Sequence, residues 1–318
     1  MLAQDLANAS EPAKVTWGKT LEDAAFVKEG IAHIRHPQYE YECLGLGGTV
    51  MRVGPDGLTR PGALLSQTNG HLRHLPYLSY QYWWDDEGHR HLPFDLEGGY
   101  GKKLEPEEVT AFRHRLDIST GLLEIDLGIK MPGVSGASFR SHREMFVTPE
   151  GILVIRVTDT AGAPMPFQMH VDINQNVRIY LNGGVYATAH DPWKGEGNRK
   201  KEGLVVVAKR PKSCTATLGI AVEGAETSVD AKSLELRSKS HGGIVTFYIA
   251  PGSSYEGDEP ASVAWKKAEE AKSRGFQALR QETAQWWEDY YERSAVSLPD
   301  PDLQKWFARS TYYMGVFF

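Results

Sequence analysis

Hydrophobic and polar residues alternate in short runs over residues 15–250, and turn residues separate the runs. Residues 116–127 alternate on both sides of Ser-Thr-Gly at 119–121, which predicts an antiparallel hairpin with one buried face. Residues 146–157 repeat the pattern around Pro-Glu-Gly at 149–151, and their second run is apolar enough for a central strand. This spacing predicts an antiparallel sandwich or barrel rather than alternating βαβ units.

The same region carries further turn and strand signals. Pro-Asp-Gly at 55–57 and Asn-Gly at 182–183 separate apolar runs, and Asn-Gly favours the tight primed turn of a hairpin. Later runs at 204–208, 215–222 and 244–250 also predict strands.

The pattern changes to a helical period after the loop at 251–254. Apolar residues recur at three-to-four spacing from Trp265 to Tyr290, and Ser262 is placed to cap them. This predicts one long helix of about thirty residues, roughly 45 Å in length, which is enough to lead from one domain to another.

A second helix is predicted to begin at Asp300-Pro301-Asp302, which combines a capping carboxylate, a first-turn proline and an acid near the helix start. Its apolar face comprises Trp306, Phe307, Ser310, Tyr313, Met314 and Phe317. No capping residue or polar tail follows Phe318, and exposed apolar residues there would invite aggregation. We therefore expect an amino-terminal fragment of a longer protein; the alternative is a true C-terminal helix docked on its own core.

Length, charge and cysteine content narrow the possible functions. The 318 residues fit one large domain plus an appendage, and 35 basic against 41 acidic residues give a net charge of −6 without long runs of one sign. This argues against nucleic-acid or membrane partners, and no apolar run approaches the ~20 residues of a membrane span. No signal peptide is visible, so cytoplasm, periplasm and export all stay open. Cys43 and Cys214 are expected as buried thiols, with one disulfide between them as the alternative.

The densest polar and aromatic cluster lies at residues 77–93 and suggests carbohydrate binding. Adjacent indole rings can stack on a sugar face while carboxylates accept hydrogen bonds from its hydroxyl groups. The alternative is an ordinary hairpin around Asp-Glu-Gly at 86–88, with one Trp buried and the charges solvated. The candidate substrate-binding residues are Trp83, Trp84, Asp85, Asp86, His89, His91, Asn69 and His71.

Other catalytic signals are weak. The histidine pairs at 33 and 36, 71 and 74, and 89 and 91 lack the converging ligands of a metal site, so we expect no metal and no cofactor. There is no nucleophile elbow and no phosphate loop, and the glycine-rich residues 45–48 predict a turn or a close strand contact. No residue of this chain is assigned a catalytic role.

Two motifs carry a resemblance to a known family. Trp286-Trp287 in the long helix is followed by Arg293-Ser294-x-Val296-x-Leu298-Pro299-Asp300, and the hairpin from Leu116 is followed by Arg143-Glu144-x-Phe146-Val147-Thr148. Together with the order of elements, this resembles the bacterial six-hairpin glycoside hydrolases, with families 95 and 65 as examples.

The resemblance implies a domain plan: a disordered or extended segment 1–14, a galactose-mutarotase-like antiparallel β-supersandwich at 15–251, a linker with the long helix at 252–299, and the first helix of a truncated (α/α)6 barrel at 300–318. In this family the general acid and base lie on the barrel. The chain would then be the non-catalytic N-terminal domain of a bacterial glycoside hydrolase. Its partners would be a carbohydrate substrate and its own C-terminal barrel, and the candidate residues would line the rim of the active site.

Two other functions stay open. A stand-alone carbohydrate-binding or mutarotase-like β domain would need a His and a Glu facing one sugar, and His170 is the strand-borne candidate without an assigned acid partner. A structural or assembly module would use the Trp-rich helix as a partner surface.

Overall fold

The protein is described from a computed structural model. The described residues are 17–30, 42–53, 59–68, 71–74, 77–81, 83–84, 90–91, 109–130, 138–159, 166–172, 178–181, 184–188, 194–200, 203–209, 215–230, 235–254, 258–294 and 296–317. The predicted N-terminal segment 1–14 lies outside them, as does Cys214, whereas Cys43 is a half-buried thiol.

Nine antiparallel strands form the larger layer of the fold, here called the large sheet. From one edge to the other they are β1 (Phe26–Glu29), β9 (Val109–Asp117), β10 (Leu122–Lys130), β11 (Ser138–Val147), β12 (Leu153–Asp159), β21 (Ile244–Ser253), β18 (Thr215–Glu223), β17 (Gly203–Lys209) and β16 (Lys194–Lys200). The hairpins predicted around residues 119–121 and 149–151 are β9–β10 and β11–β12, and β12 is the central strand of the nine.

Smaller sheets complete the β region. A four-stranded sheet contains β19 (Ala225–Asp230), β20 (Glu235–Ser240), β13 (Pro166–Asp172) and β6 (Tyr77–Gln81), and a second contains β2 (Glu42–Leu46), β3 (Thr49–Val53), β4 (Thr59–Thr68) and β5 (His71–His74). Two short hairpins pair β7 (Trp83–Trp84) with β8 (Arg90–His91) and β14 (Arg178–Leu181) with β15 (Gly184–Thr188). The mainly β, antiparallel fold class predicted from the sequence is confirmed.

The inner face of the large sheet forms the main core. Leu116, Leu123, Met145, Ile155 and Phe247 are neighbours in register across five strands, and all are buried. Burial of such side chains stabilises the fold by roughly 1.5–3 kcal/mol each. Because side chains alternate along a strand, the residues between them belong to the outer face.

Two helices cover one half of this outer face: α2 (Pro260–Arg274) and α3 (Phe276–Glu292). The buried residues of α2 are Ala264, Ala268 and Ala271, whose small side chains let the helix lie close to the strands. A Cβ atom at Gly219 of β18 would overlap the backbone of Ala264. Close packing of the helix on the sheet therefore depends on alanine and glycine at this contact.

The prediction of one continuous helix here is wrong, because the chain breaks at Gly275. This glycine has φ +80° and ψ 159°, a conformation that only glycine adopts readily, and it separates α2 from α3. The break places Phe276 against Phe146 of the sheet, with ring centroids 5.4 Å apart, and beneath the guanidinium of Arg156. The first helix also begins at Pro260 rather than after Ser262.

A short helix, α1 (Trp17–Ala24), lies in the region predicted to be entirely β. Trp17, Leu21 and Ala24 are its buried residues, at helical spacing along one face. The predicted strand pattern is therefore wrong for this segment.

The last described helix, α4 (Pro301–Phe317), begins as predicted. The Asp300 carboxylate accepts hydrogen bonds from the backbone N–H groups of Asp302 at 2.8 Å and Leu303 at 3.1 Å, which caps the helix. Farther along, the Arg309 guanidinium donates to the carbonyl oxygens of Ala24 and Ala25 at the end of α1. Among the described helices, none has the length and apolar character needed to cross a bilayer.

An aromatic cluster around Trp287 joins three of these helices to the β region. We call it the Trp287 cluster; its members are Trp17, Trp286, Trp287, Tyr290, Tyr291, Phe307, Tyr312 and Tyr313. The Trp287 indole stacks on Tyr312 at 4.9 Å between ring centroids. Glycines adjoin it on two sides: a Cβ at Gly121 would overlap its Nε1, and a Cβ at Gly315 would lie 2.8 Å from Cζ3. Both contacts require glycine.

Two buried tyrosines of the cluster differ in how their hydroxyl groups are satisfied. The Tyr312 hydroxyl donates to the carbonyl oxygen of Cys43 at 3.0 Å. Within the described part of the chain, the Tyr291 hydroxyl is buried without a hydrogen-bond partner. Burial raises the pKa of Tyr291, so this phenol stays protonated.

We expect Tyr291→Phe to stabilise the protein by about 1 kcal/mol. The substitution removes a hydroxyl group that gives up its hydrogen bonds to water on folding and has no hydrogen-bond partner among the described residues. The matched variant Tyr312→Phe should destabilise it by about 1 kcal/mol, because it deletes a hydrogen bond. Urea unfolding of both variants measures the two changes. A loss of stability in Tyr291→Phe as large as that in Tyr312→Phe would contradict this assignment.

Candidate functional site

The structure confirms a hairpin at the predicted sugar-binding cluster. Trp83 pairs with His91 and Trp84 with Arg90, in the β7–β8 ladder. His71 begins β5, where it pairs with Thr68. The remaining candidates, Asn69, Asp85, Asp86 and His89, lie outside the described residues. Their grouping around a sugar therefore stays a prediction.

The β7–β8 hairpin lies next to β13, the strand that carries His170. His170 is opposite Glu235 of β20 on one side and Ser79 of β6 on the other. The register thus provides the acidic neighbour that could not be assigned from the sequence.

A buried polar pair that the sequence analysis missed lies on the inner face of the large sheet. His114 and Arg143 flank Ile125 in register, and both are at most 1% exposed. Desolvation by burial, with a smaller contribution from the charge of Lys28, lowers the pKa of His114 to about 3, so its imidazole is neutral at physiological pH. The sequence contains a pattern that indicates this burial: His114 lies between Phe112 and Leu116 at strand spacing, and all three residues share one face of the strand.

The outer face of the large sheet carries ion pairs. Arg115 binds Asp117 and Glu124, each at 3.1 Å, and Arg280 of α3 binds Glu144 at 2.8 Å. These groups are partly exposed, and such pairs contribute modestly to stability.

His142 also contacts Asp126 on this face, with Nδ1 and Oδ1 2.7 Å apart. Each of the carboxylates named here thus lies against a nitrogen-bearing side chain of the sheet or of α3. In the described part of the chain, no group of three or more His, Cys, Asp or Glu residues could hold a metal ion.

At the centre of the Trp287 cluster, Trp287 is 1% exposed and Tyr312 fully buried, so these two rings offer no surface to a ligand. In contrast, α4 exposes large apolar side chains on its other side: Leu303, Trp306 and Met314 are 56, 65 and 59% exposed.

Comparison with known proteins identifies the fold. No protein-family model and no curated protein matches the chain. A solved structure named a putative kojibiose phosphorylase from human microbiome matches over 92% of this chain and 41% of that chain, at 13% identity and a TM-score of 0.59. The chain shares the fold of part of that protein. The likeness supports the fold expected from the resemblance, whereas a relation to family 95 or family 65 stays a prediction.

A family GH92 alpha-mannosidase from Bacteroides thetaiotaomicron also matches, alone and in complex with mannoimidazole. The two structures match over 87% of this chain, at 12 and 13% identity, with TM-scores of 0.39 and 0.37. They cover 39 and 38% of the mannosidase chain. The present chain thus spans about two fifths of the length of each of these three structures.

We expect His114 to make the fold sensitive to acid. Its pKa rises from about 3 in the folded protein to 6.5 on unfolding, so the unfolded state binds an extra proton as the pH falls below 6.5. Stability should therefore fall by about 1.4 kcal/mol per pH unit from pH 6.5 towards 3, with no contribution above 6.5.

Urea unfolding of the wild type and His114→Gln at pH 7.0, 5.5 and 4.5 tests this expectation. The difference in stability between the two proteins should shift in favour of His114→Gln by about 2.7 kcal/mol between pH 7.0 and 4.5. His241→Gln, at an exposed histidine in the turn between β20 and β21, is the matched control for the removal of one imidazole. A pH dependence in His114→Gln equal to that of the wild type would contradict the expectation.

Proposed function

We propose that this chain is the non-catalytic N-terminal β domain of a bacterial carbohydrate-active enzyme, whose catalytic carboxylates lie on a following helical barrel. The parent enzyme would hydrolyse glycosidic bonds. The observation that carries the proposal is the fold likeness over 92% of this chain to a protein named as a kojibiose phosphorylase. The likeness covers 41% of that protein, which leaves room there for a further domain.

The charge arrangement supports a non-catalytic role. Glycoside cleavage needs two carboxyl groups about 5 to 10 Å apart across the scissile bond, one of which donates a proton. On the outer face of the large sheet, Asp117, Glu124 and Glu144 are each bound by a guanidinium. These three carboxylates already have partners within the domain, and we take them as structural groups.

The β7–β8 hairpin would form part of the rim of the active site. Its strand positions are Trp83, Trp84 and His91, with Asp85, Asp86 and His89 between the strands in sequence and Asn69 and His71 as further contacts. Indole rings favour the apolar face of a sugar, and the polar groups bind its hydroxyl groups. The register pairing of Trp83 with His91 supports the proposal, because it makes an aromatic and a polar residue neighbours across the β7–β8 ladder.

A second candidate function is a stand-alone carbohydrate-binding or mutarotase-like domain. The register of His170 with Glu235 favours it, because anomer interconversion needs an acid and a base near one sugar. Under this alternative the chain alone would speed the approach of α-glucose or α-galactose to anomeric equilibrium, measured by polarimetry, and His170→Asn would abolish the effect.

The main proposal predicts that residues 1–318 alone do not cleave nitrophenyl glycosides or disaccharides. The protein encoded by the whole reading frame should cleave at least one of them. Running the assay with and without inorganic phosphate distinguishes phosphorolysis from hydrolysis. Robust turnover by residues 1–318 alone, or a stop codon directly after Phe318, would refute the proposal.

The rim assignment predicts that Trp83→Ala and Trp84→Ala in the whole enzyme raise KM by about tenfold, which corresponds to about 1.4 kcal/mol of lost sugar stacking. Ile244→Ala is the control, since Ile244 is exposed on the large sheet and should leave KM unchanged. Steady-state kinetics on the cleaved substrate measure both. If KM and kcat are unchanged in the Trp variants, the hairpin does not contact substrate.

A further inference from the structure

Three polar residues form a row across the outer face of the large sheet. Asp126 of β10 is opposite His142 of β11, and His142 is opposite Thr158 of β12. Residues opposite each other in an antiparallel ladder share one face of the sheet, and their Cβ atoms are about 4.5–5.5 Å apart. A carboxylate, an imidazole and a hydroxyl are thus consecutive neighbours, in the order that a base-activated nucleophile requires.

The Asp126 carboxylate orients the His142 imidazole. His142 Nδ1 donates to Asp126 Oδ1 at 2.7 Å. Because an ionised carboxylate can only accept a hydrogen bond, Nδ1 carries the ring proton, and the lone pair of the neutral imidazole is on Nε2. Arg113, the other ladder neighbour of Asp126, binds Glu29 of β1 at 3.0 Å. The contact with Asp126 therefore fixes both the tautomer of His142 and the direction of its ring.

This orientation directs the basic nitrogen of His142 towards Thr158. The two ring nitrogens point to nearly opposite sides, so Nε2 is directed away from β10 and towards β12. The distance between directly opposite positions is one that a hydrogen bond between an imidazole and a hydroxyl can bridge. The side chains of His142 and Asp126 are 30 and 45% exposed, and Thr158 is half-buried. The sheet thus holds the row in register while solvent reaches it.

We propose that Asp126, His142 and Thr158 form an esterase site that hydrolyses acyl esters. Thr158 Oγ1 attacks the carbonyl carbon while His142 Nε2 takes its proton. The tetrahedral intermediate expels the alcohol, which takes that proton and leaves the acyl group on Thr158. Water then attacks the acyl group with Nε2 as the base, and the proton returns to Thr158 Oγ1 as the carboxylic acid departs.

This activity goes beyond the proposed function. It would belong to the β domain itself and is separate from glycoside cleavage, to which the domain is proposed to contribute no catalytic residue. The two reactions break different bonds and share no residue.

Arg140 can stabilise the negative charge of the intermediate. It lies two residues before His142 on β11 and is exposed, so it shares the outer face with the row. Relative to Thr158 it occupies the diagonal position across the β11–β12 ladder. Diagonal neighbours are about 7–8 Å apart, which is within reach of a long side chain. A guanidinium near the developing oxyanion stabilises the transition state.

A second histidine near a carboxylate provides the matched control. His241 Nε2 lies 3.9 Å from Glu226 Oε1, which is too far for a hydrogen bond. The two side chains are 59 and 83% exposed. This pair therefore does not orient its imidazole as Asp126 orients His142, although both histidines are accessible to a reagent.

Hydrolysis of p-nitrophenyl acetate by residues 1–318 tests the proposal. After an acid quench, peptide mass spectrometry should find an acetyl group on Thr158. His142→Gln and Thr158→Val should each lower kcat at least about hundredfold, the usual contribution of a positioned base. Asp126→Asn should lower kcat with little change in KM, because it disturbs the tautomer of His142 and not substrate binding. His241→Gln should keep the wild-type rate.

A conservative variant separates catalysis from folding. Thr158→Ser keeps a hydroxyl group at this position and should still become acetylated at residue 158. Full activity in Thr158→Val, an acetyl group on another residue or an equal loss of activity in His241→Gln would overturn the proposal, as would absence of turnover by the wild type. The assay contains no glycosidic bond, so its failure leaves the proposed function in place, and absence of glycoside cleavage leaves the esterase site in place.

Discussion

The insertion of Trp287 between two glycines is the contact on which the rest of the arrangement depends. Gly121 belongs to the turn of a hairpin in the large sheet, and Gly315 belongs to the last helix, so one indole touches both. Stacking on Tyr312 fixes the ring, and the Tyr312 hydroxyl reaches the backbone of a third element at Cys43. Helix, sheet and hairpin all meet at this one side chain. Because protein interiors are closely packed, the volume of the indole ring fixes how these elements lie relative to one another.

This packing explains why the helical segment is part of the β domain. Trp17 of α1 contacts both Tyr291 and Phe307, which belong to two other helices. The residues of α3 and α4 therefore complete the same hydrophobic core as the inner face of the sheet. A boundary drawn at the change of sequence pattern near residue 252 marks a change of secondary structure and not the edge of this core.

The elements that were predicted correctly from the sequence depend on residues that lie close together in the chain. The hairpin strands follow from alternation, and the start of α4 follows from the Asp300 carboxylate, since both depend on residues close in sequence. The break at Gly275 was missed because a glycine within a helical pattern is often tolerated, and only the contact of Phe276 with the sheet selects the broken form. Helix α1 was missed because its helical spacing was overlooked beside strong strand patterns.

The candidate site was predictable only in part, for a similar reason. The Asp-Glu-Gly turn at 86–88 indicated a hairpin at Trp83 and Trp84 as the alternative to a sugar-binding cluster, but a ladder fixes neighbours only within one sheet. Pairing of His170 with Glu235 joins residues far apart in sequence, and no local pattern contains it. The burial of His114 was missed although alternation with Phe112 and Leu116 indicates it, and its chemical consequence depends on how completely the opposing layer excludes water.

The hydrogen bonds between Arg309 and the end of α1 have a consequence for synthesis of the protein. The paired residues Ala24 and Arg309 are 285 positions apart, and Cys43 and Tyr312 are 269 apart. At about 5–20 residues per second, a ribosome leaves the first helix without its partner for roughly 15–60 seconds. During that time Trp17 lacks Tyr291 and Phe307, the aromatic residues against which it packs in the folded protein. Protection of this nascent segment by chaperones would matter more than its intrinsic folding speed.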